Sequence, residues 1–348
     1  MFGAIAQRSH FCTMGAISDV VHMGDWGRAR QCALAMGVAM VGFAWLVALH
    51  QINPLDTLYA TPRWSWLSTA LGGLMFGWGM VNASGCGSKT LVRAGAGNMK
   101  SWVVILVMGI SALATLKGLT AVWRTHTVDL VHVQLEPQAN LGWVLGRWLG
   151  LDAAQATVGL GLLMGCGLMF WAMRDTEFRT RHHLFAGSSM GLLVVAMWWL
   201  TGHLGRVEEH PVTLEQVYVA VNSGRAEAFS FVAPMAYVLD YLMLFSDASK
   251  VLTLGVVVPL GVMLGSCLSA VLTHSFRWEG FGDVDDLARH LLGGVLMGVG
   301  GITAMGCSIG HGLSGLSTLA LNSFSALSFL VLGAVLALRH QIRSLEQA

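Results

Sequence analysis

The chain carries one apolar stretch after another, each close to the length that crosses a lipid bilayer. A spanning helix needs about 20 mostly apolar residues. Eight stretches meet or approach that length: about 29–51, 66–83, 100–123, 153–173, 184–202, 250–273, 287–305 and 317–338. Two more, 3–22 and 226–245, are apolar but interrupted, the first by Gln7, Arg8 and His10 and the second by Pro234. These are expected as short or broken helices entering the membrane part-way. Charged residues make up 11% of 348 positions, against about 25% in an ordinary soluble domain. Too few polar side chains remain to cover a water-facing surface, so the outside must face lipid. The expected fold is all-α, an integral membrane protein of about 8–10 helical segments in a single transmembrane domain.

A net charge of +1 gives none of the basic field that nucleic-acid binding needs. Six cysteines scattered over this length do not make a secreted disulfide scaffold. The first apolar stretch is broken too early to read as a cleavable leader. Lys and Arg concentrate on the cytoplasmic side of membrane proteins. Placing Arg174, Arg179 and Arg181 there, and alternating the eight spans, collects 13 of the 20 basic residues on that side. Both termini are then cytoplasmic, and the loop at 203–213, with Glu208 and Glu209, faces outward.

Residues 72–86 (GGLMFGWGMVNASGC) and 293–307 (GGVLMGVGGITAMGC) match at seven of 15 positions at an offset of 221. The same offset pairs Ser9 with Ser230, Met14 with Met235 and Asp19 with Asp240. Residues 1–125 and 222–348 therefore read as two copies of one unit, a broken helix followed by three spans, and 126–221 as a connector with two spans. Five spans separate equivalent points. An odd number inverts the second copy relative to the first, and inverted repeats with interrupted helices are a transporter signature.

Each matched span ends in a glycine-rich turn with a cysteine: Gly85-Cys86-Gly87-Ser88-Lys89 and Gly306-Cys307-Ser308-Ile309-Gly310-His311-Gly312. Turns that restart a helix offer unpaired N–H groups and the positive end of a dipole, which suits an anion. Such backbone has to be buried in protein or line a wet cavity. Free cysteines are also common packing residues, but repetition within glycine loops favours function for Cys86 and Cys307. Cys12, at the first broken helix, has Ala233 as its repeat partner and stays open between packing and function. Cys32, Cys166 and Cys267 lie in plain apolar spans and are expected to pack. His311 stays open between ligand, proton relay and satisfied interface residue. Lys89 and Arg93 either attract an anion or mark the cytoplasmic side, and Lys117 either snorkels or pairs with an acid. Ligand spacings such as Cys-x-x-Cys are lacking, so no metal site and no cofactor are expected.

Gln7-Arg8-Ser9-His10-Phe11-Cys12, Gly85-Cys86 with Arg93-Ala94-Gly95-x-Gly97, Ser275-Phe276-Arg277 and Gly306-Cys307-Ser308-Ile309-Gly310-His311-Gly312-Leu313 resemble the YeeE/YedE family, in order along nearly the whole chain. The resemblance implies a bacterial inner-membrane permease for sulfur compounds, with thiosulfate the expected substrate, and not an enzyme. It implies that Cys12, Cys86 and Cys307 line a narrow passage, crossed by transient thiol–sulfur hydrogen bonding. It also implies import into the cytoplasm and a small cytoplasmic sulfur-carrier protein as partner. Ser84 and Met305 replace glycines usual in that family, and Lys89 stands where small residues are common. In the inferred topology Cys307 lies toward the periplasm and Cys86 toward the cytoplasm. A neutral thiol is a weak donor and suits an anion path, since a thiolate would repel the ion. The alternatives are a membrane thiol oxidoreductase or sulfurtransferase, which would use the same cysteines as redox or persulfide centres, and a permease for a selenium oxyanion.

Overall fold

The computed structural model describes residues 1–135, 139–150, 152–208, 216–247 and 250–346. Helices dominate them. Long apolar segments close their backbone hydrogen bonds internally, as lipid requires. Among the described residues six helices are long and apolar enough to cross a membrane: α3 (Gly27–Ala48), α6 (Met99–Lys117), α9 (Ala153–Met173), α10 (Arg181–Trp199), α12 (Leu254–Leu272) and α14 (Leu321–Glu346). α10 runs on through a π turn at Leu200–Leu204. Outward-facing Leu106, Leu163, Phe170, Leu264 and Leu332 are exposed, which gives these helices an apolar face for acyl chains. Cys166 of α9 is also exposed. It points outward rather than packing, whereas Cys32 of α3 is buried as expected.

The interrupted stretches break where expected. Residues 3–22 form α1 (Phe2–Ser9) and α2 (Thr13–Met23), separated at His10, which is left-handed. Residues 226–232 are irregular and lead into α11 (Ala233–Met243), with Pro234 in its first turn, where a missing N–H costs nothing. The stretch 100–123 breaks at Gly118 into α6 and α7 (Leu119–His126). The stretch 317–338 starts its helix at Leu321, because Gly310–Gly315 form a separate π turn. α5 (Gly87–Gly95) and α8 (Leu141–Leu149) are short. Arg63–Trp64 pairs with Val133–Gln134 and Arg206–Val207 with Val217–Tyr218 as two-residue strands. Glu209, assigned to an outward loop above, lies outside the described residues.

Two apolar stretches do not meet the spanning criteria. They form α4 (Trp66–Asn82) and α13 (Val284–Thr303), which cross each other in the interior. Their glycines explain how. A Cβ on Gly72 would lie 2.6 Å from the Gly300 carbonyl oxygen and 2.5 Å from the Ala304 nitrogen; one on Gly79 would lie 2.8 Å from the Gly293 carbonyl oxygen. The pairs run in opposite directions, so the helices are antiparallel. The offset of 221 converts Gly72–Gly300 into Gly293–Gly79, as a two-fold axis between the helices produces. The flanking contacts follow suit. Gly77 backs onto Leu330 and Ala334 of α14, and Gly298 onto Met108 and Ser111 of α6. Ion pairs recur in the same way: Asp19 of α2 with Arg28 (3.2 Å), and Asp240 of α11 with Lys250 (2.7 Å) and Lys117 (3.0 Å). Lys117 therefore pairs with an acid.

Candidate functional site

The three cysteines occupy the same local position, each immediately before a helix start. Cys12 caps α2 and Cys86 caps α5, while Cys307 precedes the helical turn that begins at Ser308. The cap position usually holds Ser, Thr, Asp or Asn, whose oxygen accepts an N–H from the first turn. Here sulfur takes that role. The Gly15 N–H donates to Cys12 Sγ at 3.3 Å, and the Gly310 N–H donates to Cys307 Sγ at the same distance. Three residues separate donor and acceptor in both cases; Cys86 holds the same cap position without a side-chain cap bond. Sulfur is a weak acceptor, so the first-turn N–H groups around each thiol stay only lightly engaged.

The fold brings these three starts together. The Cys12 and Cys86 thiols are neighbours. Cys86 Sγ also lies 3.3 Å from the Ser88 hydroxyl. The Ser308 hydroxyl approaches Cys86 without the geometry of a formed hydrogen bond, and it is a buried polar atom without a partner. As the residue after Cys307, it links the two halves of the cluster. On the far side Ser230 Oγ lies 4.0 Å from Cys307 Sγ. Cys86 and Cys307 have no exposed surface and Cys12 is 5% exposed. All six cysteines are free thiols.

The loops before Cys86 and Cys307 share a constraint. Ser84 and Met305 have φ of 56° and 67°, the left-handed region that glycine occupies without penalty. Gly306 packs on the imidazole of His311, where a Cβ would come within 2.8 Å of Nε2. His311 is buried. Its Nε2 lies 2.8 Å from the Ala304 carbonyl oxygen, which fixes the proton on that nitrogen, and Nδ1 accepts from the Ser323 hydroxyl at 3.1 Å. Both ring nitrogens are thus used to brace the loop. Tyr59 does similar work, donating to the Gly310 carbonyl at 2.7 Å. Gly310 has the Tyr59 and Ser230 hydroxyl oxygens 3.2 Å from a Cβ position, and Gly312 has Met36 Cε at 3.4 Å. Gly87 is roomier, with Phe231 Cβ at 3.6 Å. Gly85 lies against the Lys89 side chain, 3.1 Å from its Cγ. Lys89 makes no ion pair among the described residues, and Arg93 donates to the Ser84 carbonyl at 3.2 Å.

The structure therefore places Cys12, Cys86, Ser88, Ser308 and Cys307 in one contiguous buried cluster, with Lys89 at its edge, and sets His311 behind it. The sequence reading did not pick out Tyr59 or Ser323. Neither lies in the matched segments 72–86 and 293–307, and the hint was that each is a hydroxyl in an apolar context.

Comparison with known proteins follows from this geometry. Residues 8–336 match the family described as Sulphur transport. The thiosulfate transporter TsuA of Escherichia coli (strain K12) is 27% identical over 96% of this chain and 90% of its own length. The protein of the same name from Spirochaeta thermophila is 26% identical over 96% of this chain and 94% of its own. The probable transporter YedE of E. coli is 31% identical over 32% of this chain and 27% of its own.

Proposed function

This chain belongs to the sulphur transport family, and on that premise we propose that it is a membrane permease for thiosulfate or a closely related small sulfur anion, passed between Cys12, Cys86 and Cys307. The observation that carries the reading is the convergence of three cysteine-capped helix starts around a buried hydroxyl without a partner, Ser308. Two full-length relatives named as thiosulfate transporters support the choice of ion.

The chemistry follows from the cost of burying a dianion, which is high unless donors compensate it. Lightly engaged N–H groups at three helix starts supply partial positive charge. Neutral thiols and the Ser88 and Ser308 hydroxyls add weak donors that can turn. Of the cations near the cluster among the described residues, Arg28 is paired with Asp19 and Lys89 stands at the edge, so neither holds the ion too firmly. Conduction needs binding strong enough to admit the ion and weak enough to release it, and several modest stations in series meet that need. Lys89, at the Cys86 side, draws the anion onward.

The same proposal includes the two-unit division, with units 1–125 and 222–348 and the connector 126–221. It also includes the inner membrane with both termini cytoplasmic, import as the direction, and a small cytoplasmic sulfur-carrier protein as the recipient. One observation favours a second reading. Cys12 and Cys86 are neighbours, which is the pair a membrane thiol oxidoreductase needs.

The test is uptake of labelled thiosulfate into cells lacking their own sulfur importers. Cys→Ala at 86 or 307 is expected to abolish uptake at unchanged abundance in the membrane, and Cys12→Ala to reduce it strongly. Normal uptake by both the 86 and 307 variants would remove the passage. A Cys12–Cys86 disulfide or a persulfide accumulating during turnover would transfer the case to the thiol enzyme.

A further inference from the structure

A cavity of about 230 Å³ opens beside Cys307, bounded by Met305, Gly306 and Ser230. Its wall is mostly apolar, and two charged side chains interrupt it, Arg124 and Glu227. The sequence reading assigned neither of them a role at the site.

Glu227 is anchored firmly. Its N–H and carbonyl both bond Thr201 Oγ1, at 3.2 and 2.7 Å, at the end of α10. Its carboxyl accepts the Ser223 hydroxyl at 3.1 Å. No cation pairs with it among the described residues. Arg124, on α7, pairs with Asp129 at 3.3 Å, and its Nε is buried without a partner. The other titratable groups facing Glu227 are Tyr59, from the loop after α3, and Tyr237 of α11, with Cys307 beyond Tyr59. α12 contributes only Leu254, Gly255 and Val258.

The two charges make opposite demands on a visiting dianion. A free guanidinium N–H attracts it. An ionised carboxylate in the same small apolar space repels it, and no cation neutralises that carboxylate. Removal from water also pushes the Glu227 carboxyl above its ordinary value, which favours the protonated form.

We propose that this cavity is an anion-binding vestibule in which Arg124 holds a divalent sulfur anion and Glu227 admits it only when protonated. The proton neutralises the carboxylate and makes the carboxyl a donor, so one proton accompanies each anion into the vestibule. This rests on the permease reading above and adds to it a site ahead of the cysteines and a pH dependence.

The test is binding of labelled thiosulfate to the purified full-length protein in detergent, from about pH 5 to about pH 8; the ion stays a dianion throughout, so any dependence belongs to the protein. Wild-type affinity is expected to fall with rising pH, approaching tenfold per unit above the range where Glu227 titrates. Glu227→Gln is expected to bind at the wild-type acidic level at every pH. Glu227→Asp keeps a titrating group and is expected to keep the slope. Arg124→Gln is expected to weaken binding at every pH. Thermal unfolding of each variant establishes that it is folded. A Glu227→Gln protein with the wild-type slope overturns the proposal. So does a folded Glu227→Gln protein that binds at no pH while Glu227→Asp binds normally, because the carboxyl would then be a ligand rather than a gate. Absence of binding by wild type at every pH would bring down the permease reading as well. That outcome is distinct from binding that ignores Glu227.

Discussion

Adding one methyl group at Gly300 tests whether the crossing of α4 and α13 holds the cysteine loops in place. A Cβ there would sit 2.7 Å from the Gly72 carbonyl oxygen, 2.7 Å from the Phe76 nitrogen and 3.0 Å from Met75 Cβ. Two of the three atoms are backbone and cannot swing aside. Ordinary contact begins at 3.4 Å, so the helices must part by about 0.7 Å, in an interior packed as densely as an organic crystal. Overpacking of this kind costs about 1–3 kcal/mol. Replacing a helical glycine by alanine returns up to about 1 kcal/mol through helix propensity. With that return, the net expectation for Gly300→Ala is a loss of up to about 2 kcal/mol. Gly79→Ala, its counterpart at the 221 offset, meets Gly293 carbonyl oxygen at 2.8 Å and Met297 nitrogen at 2.9 Å, and should lose a similar amount. Gly261, in α12, has nothing within 4 Å of its Cβ position, and Gly261→Ala is the matched control. Thermal unfolding in detergent, with thiosulfate uptake measured alongside, reads the effect. Both crossing variants should melt below the control and transport more slowly, since Cys86 and Cys307 follow α4 and α13 by only four residues each. If Gly300→Ala proved as stable and as active as Gly261→Ala, the close crossing would not be what positions the loops.

Two further outcomes follow from the loop geometry. Replacing Met305 by glycine keeps the left-handed turn and removes the Cβ strain, which costs a side-chain-bearing residue about 1 kcal/mol. Met305 is 42% exposed, so little packing is lost, and the unfolded chain gains some entropy. A rise in melting temperature is expected, and a fall would mean that the side chain itself holds the turn. His311→Phe keeps the volume but leaves the Ala304 carbonyl and the Ser323 hydroxyl unpaired, at about 1–3 kcal/mol for each orphaned group. Unfolding should shift sharply downward. An unshifted melt with lost uptake would instead put the imidazole in the anion path.

The sequence by itself determined a great deal. Hydropathy sets the helices, because lipid leaves the backbone no other way to pair its polar groups, and α3, α6, α9, α10, α12 and α14 lie within or close to the expected stretches. The breaks at His10 and around Pro234 were legible from local polarity and proline chemistry. The two Gly-Cys turns were legible because duplication writes the same residues twice.

Only the tertiary structure decided what these turns surround. Cys12 lies 74 positions before Cys86, and Ser308 lies 222 after it, so nothing local reports that they meet. The cysteine caps were missed because sulfur is an uncommon cap and the usual signal looks for oxygen. Gly72 and Gly79 stood out only as matched positions of a repeat; that they admit the backbone of α13 is decided by the crossing. Glu227 stood without a role at the start of an interrupted apolar stretch, and its place in the cavity depends on α10, α7 and α11 closing round it. Hydropathy is a property of single residues summed along the chain and survives in one dimension. A conduit is defined by which surfaces are left unfilled when helices distant in sequence pack together, and that exists only in three.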